Sequence, residues 1–212
     1  MATYIVVTII AYLIGSISSS VIISKKMAGF DVRKKGSGNA GTTNVLRSVG
    51  KKAAIITLIC DVLKGVVAIL VAYFVGLIFK DKIDKALLLQ LAGLTVIIGH
   101  TFPIFFGFKG GKGIATALGV LLVTNWNIGL ICLVFALVLM ALTRIVSLGS
   151  IAAAVLFPIL VMFMPHTAYL VDGNYILFSI LIAILVIFNH RANVKRLLEG
   201  EENKLDFSKF KK

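Results

Sequence analysis

Charge is what this sequence has least of. Only 15% of its 212 residues are Asp, Glu, Lys or Arg, against about 25% in ordinary soluble domains. Apolar residues make up 59%, and the mean hydropathy is +1.02. So few charges cannot cover that much apolar surface in water, which excludes a soluble enzyme and a disordered chain. Acidic residues number nine. They are scattered or gathered near the C-terminus, and no His, Cys or carboxylate cluster has metal-ligand spacing, so no metal and no cofactor are expected. The two cysteines, Cys60 and Cys132, lie in apolar runs and read as small packing residues, not a disulfide framework or a metal pair. No basic residue precedes Lys25. The first apolar segment therefore reads as a retained anchor and not as a cleaved signal peptide.

What the sequence has is a series of apolar runs, at about 3–24, 53–79, 86–106, 113–124, 127–143, 146–164 and 174–189. A helix needs roughly 20 residues to cross a bilayer. Six runs approach that length, and Gly113 to Thr124 is short. The net charge is +13. In a membrane chain such an excess marks cytoplasmic loops and attraction to anionic lipid, not nucleic acid. With the N-terminus outside and all seven segments crossing, the inner face holds eight Lys and Arg in 25–52, two in 107–112, Arg144, and seven in the tail. The outer face holds Lys80, Lys82 and Lys85. If the short segment did not cross, the basic tail would fall outside. The expected fold is thus an all-α polytopic membrane protein with seven transmembrane helices, one of them short. Its N-terminus lies outside and its C-terminus in the cytoplasm. One domain covers 1–202, followed by a polar basic tail at 203–212. His166 and Asp172 fall on the outer face.

Three inner-face segments carry unusual chemistry. The first runs from Gly36 to Arg47, with Ser37, Gly38, Asn39, Gly41, Thr43 and Asn44 between. It contains a formal G-x-G-x-x-G, but neither a strand nor a βαβ unit surrounds it, so it is no dinucleotide fingerprint. Its glycines let backbone approach a ligand, and Arg47 offers a two-bond fork for phosphate. The plainer alternative is a polar loop capping the next helix. The second is Gly107-Phe108-Lys109-Gly110-Gly111-Lys112-Gly113 with Ala115 and Thr116 following. It is not a Walker A loop. It does lead glycine-rich backbone and Lys112 into a helix N-terminus, where an anion is favoured. The plainer alternative is a tight basic turn between spans. The third is His190-Arg191-Ala192-Asn193, with Arg196 beyond. If the last helix continues, His190 and Asn193 share a face. A lone histidine at a helix end reads by itself as a capping group. Inside the spans, Asp61 and Lys64 are spaced to pair, as a functional site or as structural glue. His100 reads as a packing residue, and Ser147 as a helix cap.

At these residues the sequence resembles the bacterial acyl-phosphate:glycerol-3-phosphate acyltransferases, the PlsY family. Ser37, Gly38, Asn39, Gly41, Thr43, Asn44 and Arg47 match one family motif. Gly110, Gly111, Lys112, Gly113, Ala115 and Thr116 match a second, and His190, Arg191 and Asn193 a third. The resemblance implies seven membrane helices in the bacterial cytoplasmic membrane, with the motifs facing the cytoplasm. It implies acyl transfer from acyl phosphate to the 1-hydroxyl of sn-glycerol 3-phosphate, giving lysophosphatidic acid and phosphate. The partners are then those two substrates and membrane lipid. Lys112 and the amides of Gly110, Gly111 and Gly113 are expected to hold the donor phosphate. Arg47, Ser37, His190 and Asn193 are expected to hold glycerol 3-phosphate, with Gly38, Asn39, Thr43, Asn44, Thr116 and Ser147 as further contacts. His190, Lys112 and Arg47 are the expected catalytic residues. No histidine has Asp or Glu five residues on, so the H-x-x-x-x-D pair of other glycerolipid acyltransferases is absent. No acyl-enzyme nucleophile is evident either. The resemblance suggests that the donor's phosphate takes the proton, the competing reading being His190 as base. A different class, a small transporter for a phosphorylated solute, would use Asp61 and Lys64 in the span. Against it, the polar motifs gather on one face, and no inverted repeat is visible.

Overall fold

The computed structural model describes residues 1–79, 83–164 and 174–205. The expectations placed on Lys80, Lys82, His166 and Asp172, and on 206–212 of the tail, lie outside the described residues. The described residues form helices and no strands. They divide into two compact units, Met1–Thr124 and Asn125–Lys212.

The first unit opens with α1 (Ala2–Gly15) and α2 (Ser19–Ala28), which together form one apolar stretch of 27 residues. The backbone departs from the helix at 16–18, which the hydropathy pattern does not foretell. Gly29, at φ +75°, closes α2 in the left-handed conformation that terminates many helices. A polar loop and α3 (Thr42–Ser48) lead into α4 (Lys51–Ile78). At 28 residues α4 reaches about 42 Å, more than a bilayer core requires. The Asp84 carboxylate accepts from Leu87 N–H and starts α5 (Lys85–Thr101). The short α6 (Ile114–Thr124) has 11 residues, about 17 Å of helix.

Small residues set how closely these helices approach. α1 packs on α5, and α4 on both α5 and α6. A Cβ at Gly65 would strike the Thr116 carbonyl, and one at Gly119 would strike the Val62 carbonyl. Helices in lipid gain little from burying apolar surface against one another, so close backbone packing of this kind holds them together.

The second unit contains α7 (Trp126–Thr143), α8 (Val146–Phe163), α9 (Tyr175–Asn189) and α10 (Arg191–Leu198). α8 packs on α7 and α9. The Asn125 side chain accepts from Ile128 N–H and caps α7. Trp126 is exposed beside it, as suits an interfacial indole. The last helix does not continue straight through His190: α9 and α10 meet at a bend of 65°.

Among the described residues, five helical stretches are long and apolar enough to cross a membrane, six if α9 and α10 count as one bent span. Their outward faces are apolar, as at Ile59 and Leu63 on α4 and Val134 and Leu137 on α7. Such rows of side chains suit lipid and not water. Cys60 and Cys132 are free thiols.

Candidate functional site

In the first unit, the two glycine-rich segments are fastened to each other. Ala40 N–H donates to the Gly110 carbonyl at 3.3 Å, and Asn39 Nδ2 reaches the same oxygen at 3.5 Å. Ser20 Oγ holds the Ala40 carbonyl at 2.8 Å, tying this seam to α2. Beneath α3 lies a small core of Val32, Val45, Ala53 and Ala54. Asn44 organises the loop from within and is buried. Its Oδ1 accepts from Ser37 N–H, and its Nδ2 donates to the carbonyls of Val32, Lys35 and Asn39. An amide has two donor hydrogens, so three carbonyls saturate it. Asn44 thus shapes the loop's backbone. Ser37 and Gly38 remain exposed on that loop, and Arg47 is exposed in the last turn of α3.

The second segment hangs from the end of α5. Gly110 N–H donates to the Thr101 carbonyl at 3.0 Å, and Gly111 N–H to the His100 carbonyl at 3.1 Å. These two amides are therefore bonded to helix-end carbonyls. The glycines are needed for space: a Cβ at Gly110 would strike the His100 carbonyl. Gly113 has φ +91°, left-handed backbone that favours glycine, and delivers the chain into α6. The first bond into α6 runs from Ala117 N–H to the Gly113 carbonyl. The amides ahead of Ala117 have no acceptor within the helix, and they form the anion-favouring end beside Lys112. Thr43 is half-buried. Thr116 is fully buried, so it lines the α4–α6 packing and not an open face.

An unforeseen clamp braces this arrangement. Arg33 forms a two-bond pair with Asp31, at 2.7 Å and 3.0 Å, within a short 3₁₀ turn. Its Nη1 also donates to the carbonyls of Phe106 and Lys109, at 2.6 Å and 3.0 Å. The hydrogen bonds from Arg33 hold the Asp31 carboxyl below its ordinary value, and the carboxylate in turn raises Arg33.

The second unit carries the remaining expected residues. His190 is buried at the bend between α9 and α10, where it caps both helices. Its Nδ1 lies 2.8 Å from the Val186 carbonyl. A carbonyl only accepts, so Nδ1 carries the proton and Nε2 is the acceptor nitrogen of the neutral ring. His190 and Asn193 stay coupled despite the bend, since Asn193 N–H donates to the His190 carbonyl at 2.7 Å. Asn193 Nδ2 and Arg196 Nε both donate to Glu202 Oε2, at 3.0 Å and 3.2 Å. Glu202 was not expected in the site. The spacing hides it, because the chain must turn back at Gly200, φ +74°, to bring it there. Ser147 sits inside α8 and not at its cap, with its hydroxyl buried and no hydrogen-bond partner among the described residues. Leu205 N–H donates to the Arg144 carbonyl at 2.7 Å, so the tail is anchored at least that far.

The model of the glycerol-3-phosphate acyltransferase family matches residues 5–200. A glycerol-3-phosphate acyltransferase of Clostridioides difficile is 44% identical over 203 residues, 96% of each chain. One from Neisseria meningitidis is 43% identical over 204 residues, covering 94% of this chain and 96% of the relative. A crystal structure of PlsY, an integral membrane glycerol 3-phosphate acyltransferase, in its glycerol 3-phosphate form superposes with a TM-score of 0.84. It shares 37% identity over 97% of both chains. The chain belongs to the PlsY family of glycerol-3-phosphate acyltransferases. A second PlsY structure, in the lysophosphatidic acid form, superposes with a TM-score of 0.80 and 36% identity. With PlsY membership established, the all-helical, apolar architecture is that of a multi-pass membrane acyltransferase.

Proposed function

We propose that the protein transfers a fatty acyl group from acyl phosphate to the 1-hydroxyl of sn-glycerol 3-phosphate, releasing lysophosphatidic acid and phosphate. The observation that carries this reading is the seam at Gly110. It fastens a loop that bears Ser37 and leads into α3, which carries Arg47, to a loop that runs through Lys112 into the N-terminus of α6. Two phosphate-bearing substrates need cations and amide donors held close together against the substrates' mutual repulsion. Lys112 and the leading amides of α6 take the donor phosphate. Arg47 and Ser37 take glycerol 3-phosphate; the roles of His190 in orienting its hydroxyl and of Asn193 and Ser147 as further contacts rest on the motif resemblance alone. Gly38 and Asn39 on the first loop and Thr43 in the first turn of α3 shape the approach.

The transfer is direct. The acceptor oxygen bonds to the acyl carbon, the bond from that carbon to the phosphate oxygen breaks, and the departing phosphate takes the hydroxyl proton. A mixed anhydride has a good leaving group, so a protein base has little left to supply. The names of the PlsY relatives and the two liganded PlsY structures support glycerol 3-phosphate as acceptor. The donor rests on the chemistry of the second loop and on the resemblance.

The membrane arrangement we propose has seven crossings in the bacterial cytoplasmic membrane, counting the short α6. The N-terminus lies outside, and the active site faces the cytoplasm. The concentration of Lys and Arg in 25–52, 107–112 and the tail supports it. Purified protein given palmitoyl phosphate should release phosphate only when glycerol 3-phosphate is present, with EDTA making no difference. Turnover with acyl-CoA instead would overturn the donor, and ping-pong kinetics would overturn direct transfer.

A further inference from the structure

Three polar groups lie inside the first unit where apolar packing would be expected, and the proposed chemistry uses none of them. Asp61 and Lys64 on α4 are 2% and 7% exposed, and Lys64 Nζ lies 2.8 Å from Asp61 Oδ1. Lys64 also donates to the Ile17 carbonyl at 3.0 Å, in the break between α1 and α2. His100, in the last turn of α5, turns its Nδ1 toward the same Asp61 oxygen at 3.6 Å. That is beyond direct hydrogen-bond range, and the ring adds a charge to the pair only when protonated. The other edge of the ring faces the second glycine-rich loop. A Cβ built on Gly111 would overlap His100 Nε2 and crowd Cε1, with the Ala40 carbonyl at 3.1 Å. The His100 carbonyl accepts from Gly111 N–H. Gly111 is thus bonded to the His100 backbone, and the His100 ring fills the space a side chain there would need.

Buried charges are costly in a span even when paired, and a well-packed apolar trio would hold α1, α4 and α5 together without that cost. What an apolar trio would lack is a fixed ring orientation. We propose that Asp61 and Lys64 are positioning residues acting through His100. The pair fixes the imidazole, the imidazole fixes Gly111, and Gly111 sets where Lys112 and the start of α6 meet a phosphate. The same groups reach the first loop, because Gly110 carries the seam to Ala40. The inference rests on the proposed acyl-phosphate reading, since it concerns the loop that would hold that phosphate.

The test is a double-mutant cycle on purified full-length protein. His100→Ala and Gly111→Ala should each raise KM for acyl phosphate at least tenfold, with kcat changed less than about threefold, the signature of lost substrate binding. Because both act on one contact, their combined effect on kcat/KM should fall at least tenfold short of the product of the two. Amide hydrogen exchange over 109–113 gives a readout that needs no turnover. His100→Ala should speed it at least tenfold while exchange within α4 stays unchanged. If His100→Ala does not fold, His100→Phe, which fills the space without either nitrogen, takes its place. Multiplicative effects, or unchanged exchange at the loop, would overturn the role of His100. Wild-type protein with no turnover on acyl phosphate would overturn the donor reading instead, and the exchange comparison would still decide this one.

Discussion

Arg33 shows how one side chain unites two distant stretches of sequence. It closes a local turn with Asp31 and reaches the carbonyls of Phe106 and Lys109 on the loop more than seventy residues away. Replacing it with Ala removes a charge-assisted pair and leaves two carbonyls without their donor. About 1–3 kcal/mol of stability should go, read as a lower thermal midpoint. The pH dependence has a definite sign. Asp31 is depressed from its ordinary value of 3.8, so its contribution is fully present above that value and is lost as pH falls through the lowered one. Wild type and Asp31→Asn should therefore differ by a constant amount near neutrality and converge below about pH 4. Convergence at higher pH would mean that Asp31 does not carry the clamp. None of this was legible in the sequence, because the partners of Arg33 on the far loop are backbone atoms. His190 is the opposite case. Its motif marks it, and its carbonyl-bound Nδ1 leaves Nε2 as the only nitrogen able to accept a proton. His190→Gln keeps a hydrogen-bonding group but no imidazole base. If the donor phosphate takes the proton, that variant should keep most of kcat, and a loss of a hundredfold or more would make His190 the base.

Among the elements, those specified by composition are the ones the sequence reveals. The apolar runs predict α4 through α9 to within a few residues, since length and hydropathy suffice for them. The breaks are less legible. The run at 3–24 hides the departure at 16–18, which is stabilised by Lys64 from another helix. The bend at His190 was likewise masked by a sequence able to continue as helix. The fate of the glycines shows the same limit. Gly110 and Gly111 look like phosphate-binding backbone, yet their amides bond the carbonyls at the end of α5, and the amides without a helical acceptor lie further on at the start of α6. The placement of α6 in turn depends on Gly65 and Gly119. Gly119→Ala would push a methyl against the Val62 carbonyl, which cannot move without α4. Overpacking of this kind costs about 1–3 kcal/mol. Because Lys112 sits just ahead of α6, the same change should also raise KM for the acyl phosphate it is proposed to bind. A variant with lowered stability and unaltered KM would show that the loop is placed by α5 alone.

At the scale of the whole molecule, the charge distribution matters beyond any single contact. The chain carries +13, and most of its cations fall in the stretches at 25–52, 107–112 and the tail. If these share the cytoplasmic face, the potential there concentrates small anions before they bind. That field is long-range and screened, with a Debye length of about 8 Å at physiological ionic strength. Contacts made by Arg47 or Lys112 with a bound phosphate act at far shorter range and are screened less. Two consequences can be separated. Raising ionic strength from about 0.02 to 0.5 M, with an inert salt that does not compete as a phosphate mimic, should raise KM for glycerol 3-phosphate several-fold and leave kcat nearly unchanged. Neutralising Lys25 and Lys26, which lie at the end of α2 outside the proposed contacts, should flatten that salt dependence while altering low-salt kcat little. Arg47→Ala should instead lower kcat/KM by a hundredfold or more at every ionic strength, since the proposed two-bond phosphate fork would be lost and not merely an attraction. A salt slope unaffected by the Lys25 and Lys26 changes would confine the electrostatics to the binding contacts themselves. The excess positive charge would then serve membrane orientation alone.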